Sequence, residues 1–122
     1  MNEVIKRNQW DKFIKDFNQR NALRATRMEV LSAELGDQEE ELKLPLLGVS
    51  LEEKGRDAPA VEISLGGETA KEERHVTRMI PRVRSIMSKM GVDLREEALL
   101  IEDEDGTKTI LLFETLPELE PA

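Results

Sequence analysis

Apolar residues follow two different periods along this chain, and the change between them is abrupt. Trp10, Phe13, Ile14 and Phe17 stand at i, i+3, i+4 and i+7, the spacing that gathers side chains on one face of an α-helix. The spacing predicts a helix over residues 9 to 20. Asn8 offers a capping side chain before it, Asp11 places an acid in its first turn, and Asn21 tolerates the left-handed conformation that ends many helices. From residue 24 the period becomes two, with Thr26, Met28 and Val30 alternating with Arg27, Glu29 and Leu31 before a turn at Gly36-Asp37. Leu42 and Leu44 resume the alternation. Pro45 has no N–H to give a ladder, so it belongs at an edge or a bulge, with Gly48 as the bend. Val49 and Leu51 continue toward Gly55, and Val61, Ile63 and Leu65 lead to Gly66-Gly67.

A helix followed by strands on short turns predicts the α+β class. The expected architecture is an N-terminal amphipathic helix packed on a bent antiparallel sheet of about five to seven strands, with a small closed barrel as one form of it. Residues 74 to 80 read as a strand. Residues 82 to 90 stay open: Val83, Ile86, Met87 and Met90 have helical spacing between Pro81 and Gly91, while Val76, Arg78, Ile80, Arg82 and Arg84 alternate as strand residues would.

The stretch LIEDEDGTKTILLFE carries the densest cluster of acids beside a glycine. Aligned to a calcium-binding EF-hand loop, Asp103, Asp105 and Gly106 fit the third, fifth and sixth positions, but Ile101 and Leu112 fall where the first ligand and the closing glutamate are required. A hairpin accounts for more of the residues. With Asp105-Gly106 as the two central residues of the turn, Asp103 faces Lys108 and Ile101 faces Ile110, so that Leu99, Ile101, Ile110 and Leu112 anchor the base in the core.

Composition narrows the rest. The 122 residues suffice for one core, read as a single domain over residues 1 to 116 with a frayed tail over 117 to 122. With no cysteine, disulfides, thiolate metal sites and cysteine nucleophiles are excluded. The start, MNEVIKRNQWDKF, lacks the apolar run of a secretory signal, and no stretch reaches the length of a membrane span, so the expected location is the cytoplasm. A net charge of -8 argues against binding DNA or an anionic membrane.

Candidate chemistry is sparse. The serines lack a nucleophile-elbow context, no phosphate-loop spacing occurs, and His75 is the sole histidine. This leaves no catalytic residue, no cofactor and no metal to assign, and points away from an enzyme. The acid-free segment 74 to 90 is the best remaining candidate: if 74 to 84 is extended, Arg74, Arg78, Arg82 and Arg84 project from one face beside His75, suited to an anion or an acidic partner. The competing reading pairs these arginines with Glu52, Glu62 or Glu102 across strands. The leading function is therefore a non-enzymatic binding or regulatory module acting through an unidentified protein partner, a second copy of the chain included. An RNA or phosphoanion binder using the arginines is the alternative, against which stands the absence of tyrosine for base stacking.

Taken in order, RNQWDKFIKDF, ELKLPLLGVSL, AVEISLG, RHVTRMI and ALLIEDEDGTKTILLF resemble a family of small bacterial proteins known as a domain of unknown function, number fifty-three thirty-five. The most specific pieces are the segment around Pro45 to Val49 and the last hairpin. The resemblance implies a bacterial, cytosolic, single-domain protein and brings no activity or catalytic residue with it. Family members often carry a second histidine two or three residues after the first, where this chain has Arg78, which weakens any paired-histidine site.

Overall fold

A computed structural model describes residues 2–32, 36–39, 43–66 and 75–113 of the chain. Arg74 and the tail from residue 117 lie outside the described residues. Chain order is β1 (Asn2–Val4), a 3-10 turn over Arg7–Gln9, α1 (Trp10–Asn21), β2 (Ala25–Ser32), β3 (Gly36–Glu39), β4 (Leu44–Glu52), β5 (Ala60–Gly66), β6 (His75–Ile80), β7 (Val83–Met90), β8 (Glu96–Asp103) and β9 (Lys108–Phe113). The α+β class holds. The described strands number nine, more than the sequence predicts, and eight of them form one antiparallel path, β1-β7-β8-β9-β2-β4-β5-β6, with β3 beside β2. The path ends at β1 and β6 rather than joining them, so the sheet is open and not a barrel.

Bending is concentrated in β4. Leu44 and Pro45 pair with β2, a bulge follows between Leu46 and Gly48, and the rest of the strand pairs with β5. Pro45 stands just ahead of that bulge, at the end of the short β2 pairing, where a residue without an N–H is tolerated. The bend lets β4 to β6 share one core with the other strands: Leu46, Val49, Ile63, Leu65 and Ile80 are buried in the same cluster as Ile86, Leu99, Ile101 and Leu111.

The predicted stripe of α1 faces this core. Trp10, Ile14 and Phe17 are buried and Phe13 is half-buried. Phe17 meets Phe113 of β9 with ring centroids 5.6 Å apart, and truncating a buried ring of this kind typically costs about 3–5 kcal/mol. The ends of the helix differ from expectation. Asn8 sits in the 3-10 turn, Gln9 holds the cap position without a side-chain hydrogen bond, and the entry is fixed instead by Trp10 Nε1 donating to the Ile5 carbonyl at 3.0 Å. The left-handed residue after the helix is Leu23, φ 66°, while Asn21 continues the buried stripe. Asn18 closes an edge of β4: its Nδ2 donates to the Val49 carbonyl at 2.7 Å and its Oδ1 accepts from the Val49 N–H at 2.8 Å.

One open reading is settled and one expectation is corrected. Residues 83 to 90 are strand β7, because the register against β8 buries Ile86 and Ser88 on one face, whereas a helix would leave β8 without this neighbour. The β8–β9 register is shifted by one residue: Glu102 pairs with Lys108, Ile101 with Thr109 and Leu99 with Leu111. Gly106 N–H donates to the Asp103 carbonyl and Asp103 N–H to the Thr107 carbonyl, a three-residue loop with Gly106 left-handed (φ 85°) rather than a two-residue turn. One residue of slip exchanges the faces, so Thr109 and Leu111 are buried where Ile110 and Leu112 were expected.

Candidate functional site

Beside its buried stripe, α1 presents Lys12, Phe13, Asp16 and Arg20 along one flank, at spacings that keep them on a shared face, and Gln9 of the preceding turn continues it. Opposite them stand Ser88 and Met90 of β7, with Glu3 paired to Ser88 on one side and Glu96 paired to Met90 on the other. Together with Ile5 and Leu94 these residues enclose an open groove of about 370 Å³, within the range of small ligand sites.

The floor is polar and deeply placed. Glu96 is 2% exposed, and Arg20 Nε donates to its Oε1 at 2.9 Å alongside Nη2. Asn21 Nδ2 donates to Oε2 at 3.2 Å and to the Phe17 carbonyl at 3.0 Å. Arg24 Nη1 donates to the Asn21 Oδ1 and to the Glu96 carbonyl, each at 2.8 Å. Burial alone would raise the Glu96 carboxyl; hydrogen bonds from Arg20, the backbone and Asn21, together with the Arg20 charge, outweigh it and hold the group below the usual carboxylate range. Glu96 is therefore ionised at neutral pH. Burial, with the Arg95 charge, lowers Arg24. Ser88, also 2% exposed, donates to the Met90 sulfur at 3.8 Å, a weak partner that leaves its oxygen lone pairs available.

The lip is apolar. The Gly91–Arg95 turn closes with Gly91 N–H donating to the Arg95 carbonyl at 2.8 Å and Leu94 N–H to the Gly91 carbonyl at 3.1 Å. Leu94 has φ 63° and is 81% exposed, and Val92 beside it is fully exposed.

Among the described residues, Arg78, Arg82 and Arg84 do not share one extended strand. Pro81 and Arg82 break the extended run, Arg82 taking φ 49°, and β6 and β7 lie toward opposite ends of the sheet path. Arg78 is half-buried with its Nε donating to Thr109 Oγ1 at 2.8 Å. Arg82 pairs with Asp57 at 2.9 Å and Arg84 with Glu102 at 2.6 Å, the last being one of the three acids expected as partners. His75 is exposed on β6 with its ring across Gly66, where an added Cβ would stand 2.5 Å from Nδ1. Arg74 lies outside the described residues.

Sequence reading missed Glu96, Arg20 and Ser88 as a group, since they are far apart in the chain. One signal was available: Asn21 extends the Trp10, Ile14, Phe17 stripe by four more residues, and a polar side chain in a buried stripe demands a buried partner. In the EDEDG loop, Asp103 Oδ1 accepts from the N–H groups of Asp105 at 2.9 Å and Thr107 at 3.0 Å, and thus holds the turn. Among the described residues no three histidines or acids stand together as a metal site, and no helix is long and apolar enough to cross a membrane.

A family model described as "Family of unknown function (DUF5335)" matches residues 1–122. The chain belongs to this family. Searches of curated proteins and of solved structures found no match for the DUF5335 chain. The groove described above spans α1, β1, β7 and β8, all of which fall within the matched residues.

Proposed function

We propose that this DUF5335 protein is a non-enzymatic binding module acting through protein contacts, with the groove between α1 and the β7–β8 turn as its contact surface. The observation that carries this reading is Leu94. A branched side chain in the left-handed region is strained by about 1 kcal/mol, and here the strain holds an apolar side chain in water at the lip of a groove. Leu94 stands beside the also exposed Val92, and neighbouring apolar side chains left in water mark a surface used for partner binding.

The floor supports binding over catalysis. Glu96 is ionised and tied to Arg20, which suits it poorly to donate a proton, and the Ser88 hydroxyl points its proton at a thioether rather than at a base. The test is selection from a random dodecapeptide library on the immobilised protein, repeated on Leu94→Asp, an exposed change that leaves the core intact. Enriched peptides should bind the parent at least fivefold tighter than the variant. A library yielding no binders, or binders indifferent to Leu94→Asp, would overturn the reading.

A further inference from the structure

Acceptors outnumber donors in this groove, and the imbalance specifies the chemistry of its occupant. The Ser88 oxygen has its proton on sulfur and no donor of its own. The Glu96 carboxylate is held by Arg20, by Asn21 at 3.2 Å and by the backbone, and keeps its negative charge at the floor. Among the described residues, Glu3 and Asp16 of the walls are in no ion pair, whereas the charge of Arg20 is paired with Glu96. Lys12 is the one unpaired cation among the lining residues, so the unpaired charge of the walls is net negative, in a chain that is itself -8. Above the floor, Ile5, Phe13, Met90 and Leu94 supply an apolar sleeve.

Resting on the binding reading above, we infer that the groove takes an arginine side chain from an extended segment of a partner protein. The three-carbon stem lies against Phe13, Met90 and Leu94. The guanidinium carries five donors in a planar fork, which suit the Ser88 oxygen and the Asp16 carboxylate of the lining. A neutral apolar side chain would bury the Ser88 oxygen with its acceptor valence unfilled, an expensive outcome, and an acidic one would face Glu3 and Asp16.

The probes are blocked single residues titrated into isotope-labelled protein and followed by amide shifts: acetyl-arginine amide, the isosteric but uncharged acetyl-citrulline amide, and acetyl-glutamate amide. Acetyl-arginine amide should give saturable shifts confined to the amides of Phe13, Ser88, Met90 and Glu96, at least fivefold tighter than citrulline. Asp16→Asn, which removes a charge at the half-buried groove wall, should weaken arginine severalfold and leave citrulline unchanged. Equal binding of arginine and citrulline, preference for glutamate, or no arginine binding in a protein that still selects Leu94-dependent peptides would overturn the arginine assignment while leaving the groove's binding role standing. Loss of both responses would remove the binding role itself.

Discussion

The turns at the two ends of β8 are built to one plan and filled differently. In each, the first residue donates its N–H to the carbonyl four residues on and accepts from the N–H three residues on, and an aspartate side chain holds a neighbouring amide: Asp93 that of Arg95, Asp103 those of Asp105 and Thr107. Both plans need a residue with positive φ at the fourth place. The β8–β9 turn puts Gly106 there, at φ 85°, and the β7–β8 turn puts Leu94 there, at φ 63°. Glycine enters that region freely and leucine does not. Geometry being shared, the difference marks one turn as serving the fold and the other as giving up stability for a side chain at the mouth of the groove.

The largest expected effect comes from cutting the tether under the Leu94 turn. Glu96→Ala leaves Asn21 and the partly exposed Arg20 without their acid, and breaking a buried pair costs about 3–5 kcal/mol, discounted toward the lower figure by the exposure of Arg20; urea denaturation measures it. The same carboxylate gives the turn an acid sensitivity. Its folded value lies below its unfolded one, so its stabilisation is complete above the ordinary glutamate range near about pH 4.3 and is lost as pH falls through the lowered folded value. Glu96→Gln should flatten that part of the stability-versus-pH curve, and an unchanged curve would count against Glu96 as the titrating group.

Gly106→Val comes next, since a β-branched residue at φ 85° is a backbone outlier; a loss of about 1–3 kcal/mol is expected, read as a lower melting temperature. The reverse exchange is the sharper one. Leu94→Gly should raise stability by about 0.5–1 kcal/mol while reducing peptide binding at least fivefold, and a stable variant that binds as well as its parent would erase the contrast between the turns. Arg84→Ala should leave the melting curve unmoved, because its pair with Glu102 stands in solvent on the arginine side.

Much of the fold was legible in the sequence, for reasons that also explain where legibility stopped. The stripe from Trp10 to Phe17 was decisive because only one period fits it, and the strand at Val61, Ile63 and Leu65 because Gly66 and its neighbour bound it. The β8–β9 register was ambiguous: Leu99 to Ile101 and Ile110 to Leu112 are apolar at consecutive positions, so a slip of one residue still matches apolar with apolar. Residues 82 to 90 satisfied both periods until pairing with β8 decided between them. The arginine alternation failed at Arg82, whose backbone turns the chain and whose side chain secures Asp57. The groove was the least legible part, as it depends on bringing Arg20 against Glu96, 76 residues away, and no local pattern encodes that meeting.

The Asn18 contact has a consequence for the life of the chain outside its native state. A carboxamide presents an N–H and a C=O at nearly the spacing of a peptide group, so at Val49 the helix impersonates a neighbouring strand. At Val49 the edge then has no free N–H to offer a stray chain. Because α1 precedes β4 in the sequence, the guard is made before the edge it protects, and an emerging polypeptide has its own cover to hand when Val49 first becomes available for pairing.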